Sequence, residues 1–392
     1  MAKNSLLAKL KGLAGPFGPG PALLVNGVLL GGLALLSLIH STDRSLYYIL
    51  VREDGLVEWM TVASLVLTGV LTVVCAHRWY RILQRFPWFY IGLGLFCVFF
   101  AGEELSWGQR LLSYQPPDYF LEHNSQQELN VHNLFKHILR TKYLLMGILV
   151  GYGVLLPALN AFFGPVRRFL HRLGVVTPPL ALLPGWLTTY FVLREYQWKY
   201  TGEVAECLFA LGLYFMVFIR LRQIDPEGER QKPHGSRSIS LQMGAGTAAV
   251  LVVAWSIPSL LSVARADPAK IELARAEAVR LKSDWFSQRA ADDDAPSGCR
   301  THIRIFTWVN KHDYDAFRKG LFFRGQAIED GSGEASRGKF FVDPWNNPYW
   351  VRQVCGDEED MVYIYSFGPN GRRDSDKEGL KADDVGVAFA VP

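Results

Sequence analysis

Six side chains capable of acid–base or metal chemistry fall beside long apolar runs of the sequence. They are Glu103, Glu104, Arg110, His132, Glu203 and Glu206. Carboxylates with a histidine can bind a divalent metal ion or exchange protons with a substrate. Their spacing matches no zinc-protease, nucleophile-elbow or nucleotide-binding motif. The alternative is a set of structural ion pairs, because Glu103 and Arg110 would share one face of a continuous helix.

The apolar runs that must position these residues predict membrane spans. The chain is 49% hydrophobic and 20% charged, with a mean hydropathy of +0.10, which is too apolar for an ordinary soluble protein of 392 residues. Runs of about 20 apolar residues can cross a bilayer as helices. We expect seven spans, at roughly 21–40, 56–76, 87–106, 143–163, 176–193, 203–221 and 244–264. The fifth should be distorted, because Pro178, Pro179 and Pro184 crowd it.

The distribution of charge predicts an orientation and two domains. With the N-terminus inside, the cytoplasmic loops hold 14 basic residues against 3 acidic ones. The chain therefore resembles a multi-pass protein of a bacterial inner membrane, with its N-terminus cytoplasmic and its C-terminal part periplasmic. Residues 1–265 form the transmembrane domain with a net charge of +8, and residues 266–392 form the exported domain with a net charge of −4. The basic residues form no stripe with interleaved aromatics, so no nucleic acid is expected as a partner.

The exported part reads as one helix followed by a small antiparallel sheet, which is an α+β domain. Helical periodicity runs from Asp267 to Ala290. Short β-like runs follow at His302–Val309, Lys339–Val342, Tyr349–Val354, Met361–Phe367 and Val385–Val391. Cys299 and Cys355 both fall in this part, and an oxidising compartment would allow them to form a disulfide. Two free thiols remain the alternative, because the sequence does not fix the distance between them.

Three blocks of this part carry a resemblance to a known family. The blocks are 341–349 (FVDPWNNPY), 363–371 (YIYSFGPNG) and Asp383-Asp384-Val385. In this order they resemble the globular domain of the major pseudopilin of type II secretion. The resemblance covers only the last third of the chain. It implies the fold of a module and not membership of a pilus, because pseudopilins carry one apolar helix behind a cleaved leader.

The same resemblance implies a Ca²⁺ site in the acidic loop that follows Asn370. By position, the candidate ligands are Asp374, Asp376 and Asp383. Oxygen-rich loops suit Ca²⁺, which takes 6 to 8 oxygen ligands. Four basic side chains between Arg372 and Lys381 dilute the local charge, so a solvated acidic loop remains the alternative.

A second resemblance concerns the span end that carries Glu103 and Arg110. Residues 103–110 and 130–134 are similar to blocks E-E-[IL]-S-W-G-Q-R and N-[LV]-H-N-L of an uncharacterised family of multi-span bacterial membrane proteins. This resemblance implies no activity. It indicates only that the two blocks belong together.

Two functions follow as expectations. The first is an inner-membrane protein that displays a pseudopilin-like domain in the periplasm and acts by interaction, with membrane lipid and envelope or secretion proteins as partners. The second is a membrane-embedded metal- or carboxylate-dependent hydrolase or transferase that acts on a lipid or lipid-linked substrate. Convergence of Glu103 or Glu104 with His132 and with Glu203 or Glu206 would favour the enzyme. Neutralisation of the acids by Arg110, Arg194 or Lys199 would count against it.

Overall fold

The structure is a computed structural model that is mostly helical, with one small antiparallel sheet. It describes residues 19–134, 141–195, 198–223, 236–291, 302–312, 335–356, 359–375 and 379–391. The first helices are α1 (Pro19–Thr42), α2 (Arg44–Val51), α3 (Leu56–Leu83), α4 (Trp88–Glu104), α5 (Gln109–Leu112), α6 (Asp118–His123) and α7 (Val131–Leu134). They are followed by α8 (Thr141–Val150), α9 (Leu156–Phe162), α10 (Gly164–Leu173), α11 (Leu183–Glu195), α12 (Thr201–Gln223), α13 (Ser236–Arg265) and α14 (Pro268–Ala291). The last elements are β1 (His302–Arg304), α15 (Ile305–His312), α16 (Ala335–Phe340), β2 (Trp350–Val354), β3 (Asp360–Ser366) and β4 (Val385–Val391).

The chain forms two compact units. Unit 1 comprises residues 1–104 and 135–256, and unit 2 comprises residues 105–134 and 257–392. The domain boundary expected at residues 265 and 266 lies between α13 and α14. Unit 2 also takes in the end of α13 and the segment between α4 and α8.

Several helices are long and apolar enough to cross a membrane. Within the described ranges five qualify: Gly20–Thr42, Arg44–Leu83, Lys142–Phe162, Thr201–Leu221 and Ala245–Arg265. A sixth is reached if α4 and the bent segment Ser106–Leu112 count as one span. Many apolar side chains on these helices are exposed, including Leu23, Leu38, Val70, Leu95 and Trp255, which is the surface expected against lipid.

Unit 1 is organised around α12. The apolar stretch of α12 is 78% buried inside the protein, against 17% for that of α1, so α12 is central and α1 is peripheral. Helix α3 packs on α12 and α4 packs on α3. Tyr47, Trp186 and Phe215 are among the largest buried side chains of the unit.

The stretch expected to be the fifth span is interrupted, as its prolines predict. A short 3₁₀ turn at Leu180–Leu182 precedes α11, which has 13 residues. Asn26 of α1 compensates the break. Its Nδ2 donates to the Ala181 carbonyl at 2.7 Å, and its Oδ1 accepts from the Gly185 N–H at 2.9 Å. A partly buried amide thus satisfies backbone groups freed by the interruption.

Helix α4 ends at Glu104, and this corrects the expectation of one continuous helix through Arg110. The chain bends by 69° before Ser106–Leu112. Ser106, Trp107 and Gly108 all have positive φ, at 48°, 53° and 93°. A left-handed turn of this kind stops helical periodicity. Glu103 and Arg110 therefore do not share a helical face by spacing.

Unit 2 contains a four-stranded antiparallel sheet of order β1-β2-β3-β4, packed on α14. Side chains alternate between its faces, so Val351, Val362, Ile364 and Phe389 join Trp285 of α14 in the core. Strands β2, β3 and β4 lie within one residue of three expected runs. The first expected run forms only the short β1 before α15 begins. The second expected run, Lys339–Val342, contains the end of α16 and a single β-bridge between Val342 and Pro348.

A buried ion pair joins α14 to α16, and a hydrogen bond joins it to Tyr349, the residue before β2. Arg337 Nη2 lies 2.9 Å from Glu277 Oε1, with both side chains almost fully buried. The Tyr349 hydroxyl donates to Glu277 Oε2 at 2.6 Å. Burial raises the pKa of Glu277, and the Arg337 guanidinium opposes that rise. The contact with Arg337 and the hydrogen bond from Tyr349 therefore both favour the charged carboxylate that burial disfavours.

The segment 105–134 is an integral part of unit 2. Leu121 packs with Phe340 and Val342. Gln127 Nε2 donates to the Phe340 carbonyl at 3.0 Å. Asn346 Nδ2 donates to the Ser113 carbonyl at 2.6 Å. The tip of the D-P-W-N-N-P-Y block thus folds against the segment that follows α4.

Candidate functional site

Three carboxylates converge in unit 1. One oxygen each from Glu104, Glu203 and Glu206 lies within 4.8 Å of the others, and the three side chains are partly buried. Glu104 is the last residue of α4. Glu203 and Glu206 lie three residues apart near the start of α12, so they share one helical face. The positive end of the α12 dipole favours negative charge at this position.

More negative charge surrounds the cluster. Glu58 and Glu53 are close enough to Glu203 to interact with it electrostatically. Glu58 lies in the first turn of α3, where it accepts a hydrogen bond from the Asp54 N–H. Gly55 makes this turn possible, because a Cβ there would lie 2.6 Å from the Arg52 carbonyl oxygen.

Such an arrangement suits a cation. Like charges at this separation repel strongly in a partly buried setting, so a divalent ion or shared protons would stabilise them. Oxygen-only ligands at this spacing are those that Mg²⁺, Mn²⁺ or Ca²⁺ prefer. The cluster could also act as an acid–base group, with one carboxyl protonated beside an ionised neighbour.

The sequence also predicted Glu103, Arg110 and His132 as site residues, and Arg110, Arg194 and Lys199 as groups that could neutralise the acids. Glu103 is buried at the end of α4, beside Glu104. Arg110 and His132 belong to unit 2, whereas the three carboxylates belong to unit 1. Arg194 lies 3.5 Å from Glu195, and Lys199 Nζ lies 5.1 Å from the centroid of the Tyr200 ring. Arg194 and Lys199 therefore have partners outside the cluster.

Glu128 is a residue that sequence reasoning missed. Its Oε2 accepts from Ser106 Oγ at 2.6 Å, Arg110 Nη2 at 3.1 Å and Asn130 Nδ2 at 3.2 Å. Burial raises the pKa of this carboxyl, but Arg110 and Ser106 outweigh burial, so the pKa lies below its ordinary value. Glu128 thus joins the two blocks that the sequence only grouped by resemblance. No spacing signal identified it, because it precedes Asn130 in an irregular loop.

The acidic loop of unit 2 holds its carboxylates in a compact turn. Asp374 pairs with Arg372 at 3.1 Å and accepts from Asn370 Nδ2 at 2.7 Å. Asp383 accepts a hydrogen bond from the Ser262 hydroxyl. Asp376 lies outside the described residues.

Asp384 is the carboxylate of this loop that sequence reasoning did not select. Its Oδ2 accepts from the backbone N–H groups of Asp374 and Ser375, and its Oδ1 is buried without a hydrogen-bond partner. A buried acceptor without a partner is costly, and binding of a cation to this oxygen would offset that cost.

Among the described residues, Cys75, Cys97 and Cys207 are free and buried in unit 1, and Cys355 is disulfide-bonded. Cys299 lies outside the described residues. The pairing of Cys299 with Cys355 therefore stays a prediction.

Comparison with known proteins gave no match: no family model, no curated protein and no solved structure matches the chain.

Proposed function

We propose that the chain is a multi-pass protein of a bacterial inner membrane, with about seven spans. The N-terminus lies in the cytoplasm and residues 266–392 lie in the periplasm. Five to six helices of sufficient length and apolarity, in the part of the chain that the structure describes, support the membrane setting. The excess of Lys and Arg in one set of loops supports the orientation.

Within this setting we propose a membrane-embedded metal- or carboxylate-dependent hydrolase or transferase. Glu104, Glu203 and Glu206 would hold a divalent cation or exchange protons with the substrate. The observation that carries this proposal is the approach of the three carboxylate oxygens to within 4.8 Å. Charged residues at span ends are costly, and a cation that binds them offsets this cost. A metal ion held by carboxylates can polarise a phosphoryl or acyl group and activate water.

The location of the cluster supports a lipid or lipid-linked substrate. Glu104 terminates one apolar helix, and Glu203 and Glu206 begin another. The helix that ends at Glu104 exposes Leu95 and Val98, at 66% and 62%. A substrate with apolar tails could lie along such a surface and present its polar group at the helix ends.

An activity assay tests this function. The full-length protein in lipid nanodiscs would be incubated with phospholipids and with polyprenyl phosphates, with and without Mg²⁺ or Mn²⁺. We expect metal-dependent release of the polar group, lost in Glu203→Gln and Glu206→Gln. Glu195→Gln is the matched control, because Glu195 is exposed and paired with Arg194. Turnover that persists in both cluster variants would rule out the role given to these carboxylates.

The second candidate function is display of a pseudopilin-like domain for interaction with an envelope or secretion assembly. The packing of the long helix α14 on an antiparallel sheet supports it, since the blocks that carry the resemblance lie in and beside that sheet. Photo-crosslinking in cells from Val279, exposed on α14, tests this role. Capture of a secretion component by the full-length protein would support it, and labelling of lipid alone would contradict it.

We also propose Ca²⁺ in the loop from Asn370 to Asp384. Asp374, Asp376 and Asp383 are the ligands that the resemblance implies. The buried Oδ1 of Asp384 supports a further oxygen ligand.

A further inference from the structure

The end of α13 indicates which part of unit 2 lies near the membrane surface. Ala245–Arg265 is a candidate span, and its last nine residues, 257–265, belong to unit 2. The Ser262 hydroxyl donates to Asp383, and Arg265 donates to the carbonyl of Arg110. Trp345 Nε1 donates to the Arg265 carbonyl at 3.0 Å. Residues bonded to the last turn of a span lie near the membrane surface, where Trp and Arg are common.

The turn Ser106–Leu112 lies at this level, because Arg265 bonds to Arg110 within it. Unlike an ordinary surface segment, this turn buries polar side chains and exposes apolar ones. Ser106 and Gln109 are buried, at 0% and 3% exposed. In contrast, Trp107, Leu111 and Leu112 are 44%, 37% and 77% exposed.

Hydrogen bonds inside unit 2 hold this inverted arrangement in place. Ser106 and Arg110 bond to Glu128. Gln109 Oε1 accepts from the Leu129 N–H at 2.9 Å, and its Nε2 donates to the Asn346 carbonyl. The polar side chains are thus satisfied by protein, and the apolar ones point outward. This is the pattern of a segment made for an apolar environment.

We propose that Ser106–Leu112 is an interfacial anchor that inserts Trp107, Leu111 and Leu112 into the headgroup and acyl boundary of the bilayer. The occupant of this surface is lipid. The indole of Trp107 suits that boundary because it is apolar with one polar N–H. This inference rests on the proposed membrane setting. It is independent of the proposed catalytic role.

Site-directed spin labelling of the full chain in liposomes tests the anchor. A nitroxide on Leu112→Cys would be compared with one on Val279→Cys and one on Val70→Cys. Val279 is 52% exposed in unit 2, about 16 Å along α14 from its first residue, Pro268. Val70 is 55% exposed near the middle of α3. The parent protein, whose described free cysteines are buried, sets the labelling background.

We expect the ratio of oxygen to water-soluble nickel accessibility at Leu112 to be several-fold above that at Val279 and below that at Val70. A ratio equal to that at Val279 would place the turn in water and overturn the proposal. A ratio equal to that at Val70 would also overturn it, in favour of a broken span. Shielding of Leu112 from both reagents would indicate protein as the occupant and would exclude lipid.

Leu111→Cys repeats the measurement if Leu112→Cys does not fold, and the same four outcomes apply. Val70 in water would contradict the membrane setting itself, and the anchor with it. Val70 in lipid with Leu112 in water would refute the anchor alone.

Discussion

The Ser106 hydroxyl donates a hydrogen bond of 2.6 Å to Glu128 Oε2, across 22 residues of sequence. The same oxygen accepts from Arg110, so Glu128 holds both the left-handed turn after α4 and the second residue of α5. The structure thereby gives a physical reason for the association of the blocks at 103–110 and 130–134.

Removal of the Glu128 carboxylate should destabilise unit 2. Glu128→Ala leaves Arg110, Ser106 and Asn130 without their shared acceptor, and loss of one partner of a largely buried pair costs about 3 kcal/mol. We expect a clear fall in the thermal unfolding midpoint of the protein in detergent. Glu272→Ala is the control, because Glu272 forms an exposed pair with Arg275 on the same unit. Equal midpoints for the two variants would contradict a structural role for Glu128.

The pair Glu277–Arg337 should behave as a buried ion pair. Arg337→Met leaves a buried carboxylate without its cation, at a cost of about 3–5 kcal/mol. The double variant Glu277→Gln with Arg337→Met should recover part of this loss, because Gln still accepts from the Tyr349 hydroxyl. Chemical denaturation of the three proteins measures the free energies of unfolding. A double variant less stable than Arg337→Met would refute this coupling.

Asp343 should contribute a pH dependence to stability. Burial raises its pKa to about 6, although Ser366, Asn347, Trp345 and Arg337 oppose the rise. A carboxyl with a raised folded-state pKa binds its proton more tightly in the folded state. Protonation of Asp343 therefore stabilises the folded state fully below pH about 4. This contribution, about 3 kcal/mol at most, is lost as pH rises to about 6.

Asp343→Asn tests that dependence. Its Oδ1 can still accept from the N–H groups of Trp345 and Asn347, and its amide can donate to Ser366. The variant should gain stability relative to the unmodified protein as pH rises from 4 to 7, measured by parallel unfolding curves. A difference that is constant over this range would mean that Asp343 does not titrate there.

Several elements could be predicted from the sequence because each has a strong local cause. Short β-like runs separated by Gly, Asn and Asp predicted β3 and β4, and long apolar runs predicted α1, α3, α12 and α13. Pro178 and Pro179 predicted the distortion before α11, because proline cannot continue a helix. The coarse fold of helices with a small antiparallel sheet is confirmed. The count of seven spans stays a prediction.

Other features depend on tertiary contacts that no local pattern carries. Helical spacing placed Arg110 on the face of Glu103, but three consecutive positive φ angles break the helix there. Glu128 and Asp384 lack a sequence signal, since their roles come from the backbone and side chains that surround them. The sequence predicted Glu104, Glu203 and Glu206 only as members of a larger set of candidate site residues. The packing of α4 near the start of α12 brings these three carboxylates together.

Calcium should stabilise the protein if the loop from Asn370 to Asp384 binds it. Binding to the folded state alone raises stability by about 2.7 kcal/mol when free Ca²⁺ exceeds the dissociation constant a hundredfold. We expect a higher melting temperature of full-length protein in millimolar Ca²⁺ than in chelator. Asp374→Asn with Asp383→Asn should remove the difference, whereas Asp267→Asn, at the start of α14, should retain it. Identical melting with and without Ca²⁺ would argue against the ion.

The metal content of the purified full-length protein tests the cation site of Glu104, Glu203 and Glu206 most directly. After equilibration with Mg²⁺ or Mn²⁺ and removal of free ions, elemental analysis should find bound metal in the unmodified protein and in Glu195→Gln. It should find markedly less in Glu203→Gln with Glu206→Gln, because two of the three oxygen ligands are then neutral amides. Equal metal content in the double variant and the unmodified protein would contradict the site, as would the absence of bound metal from both.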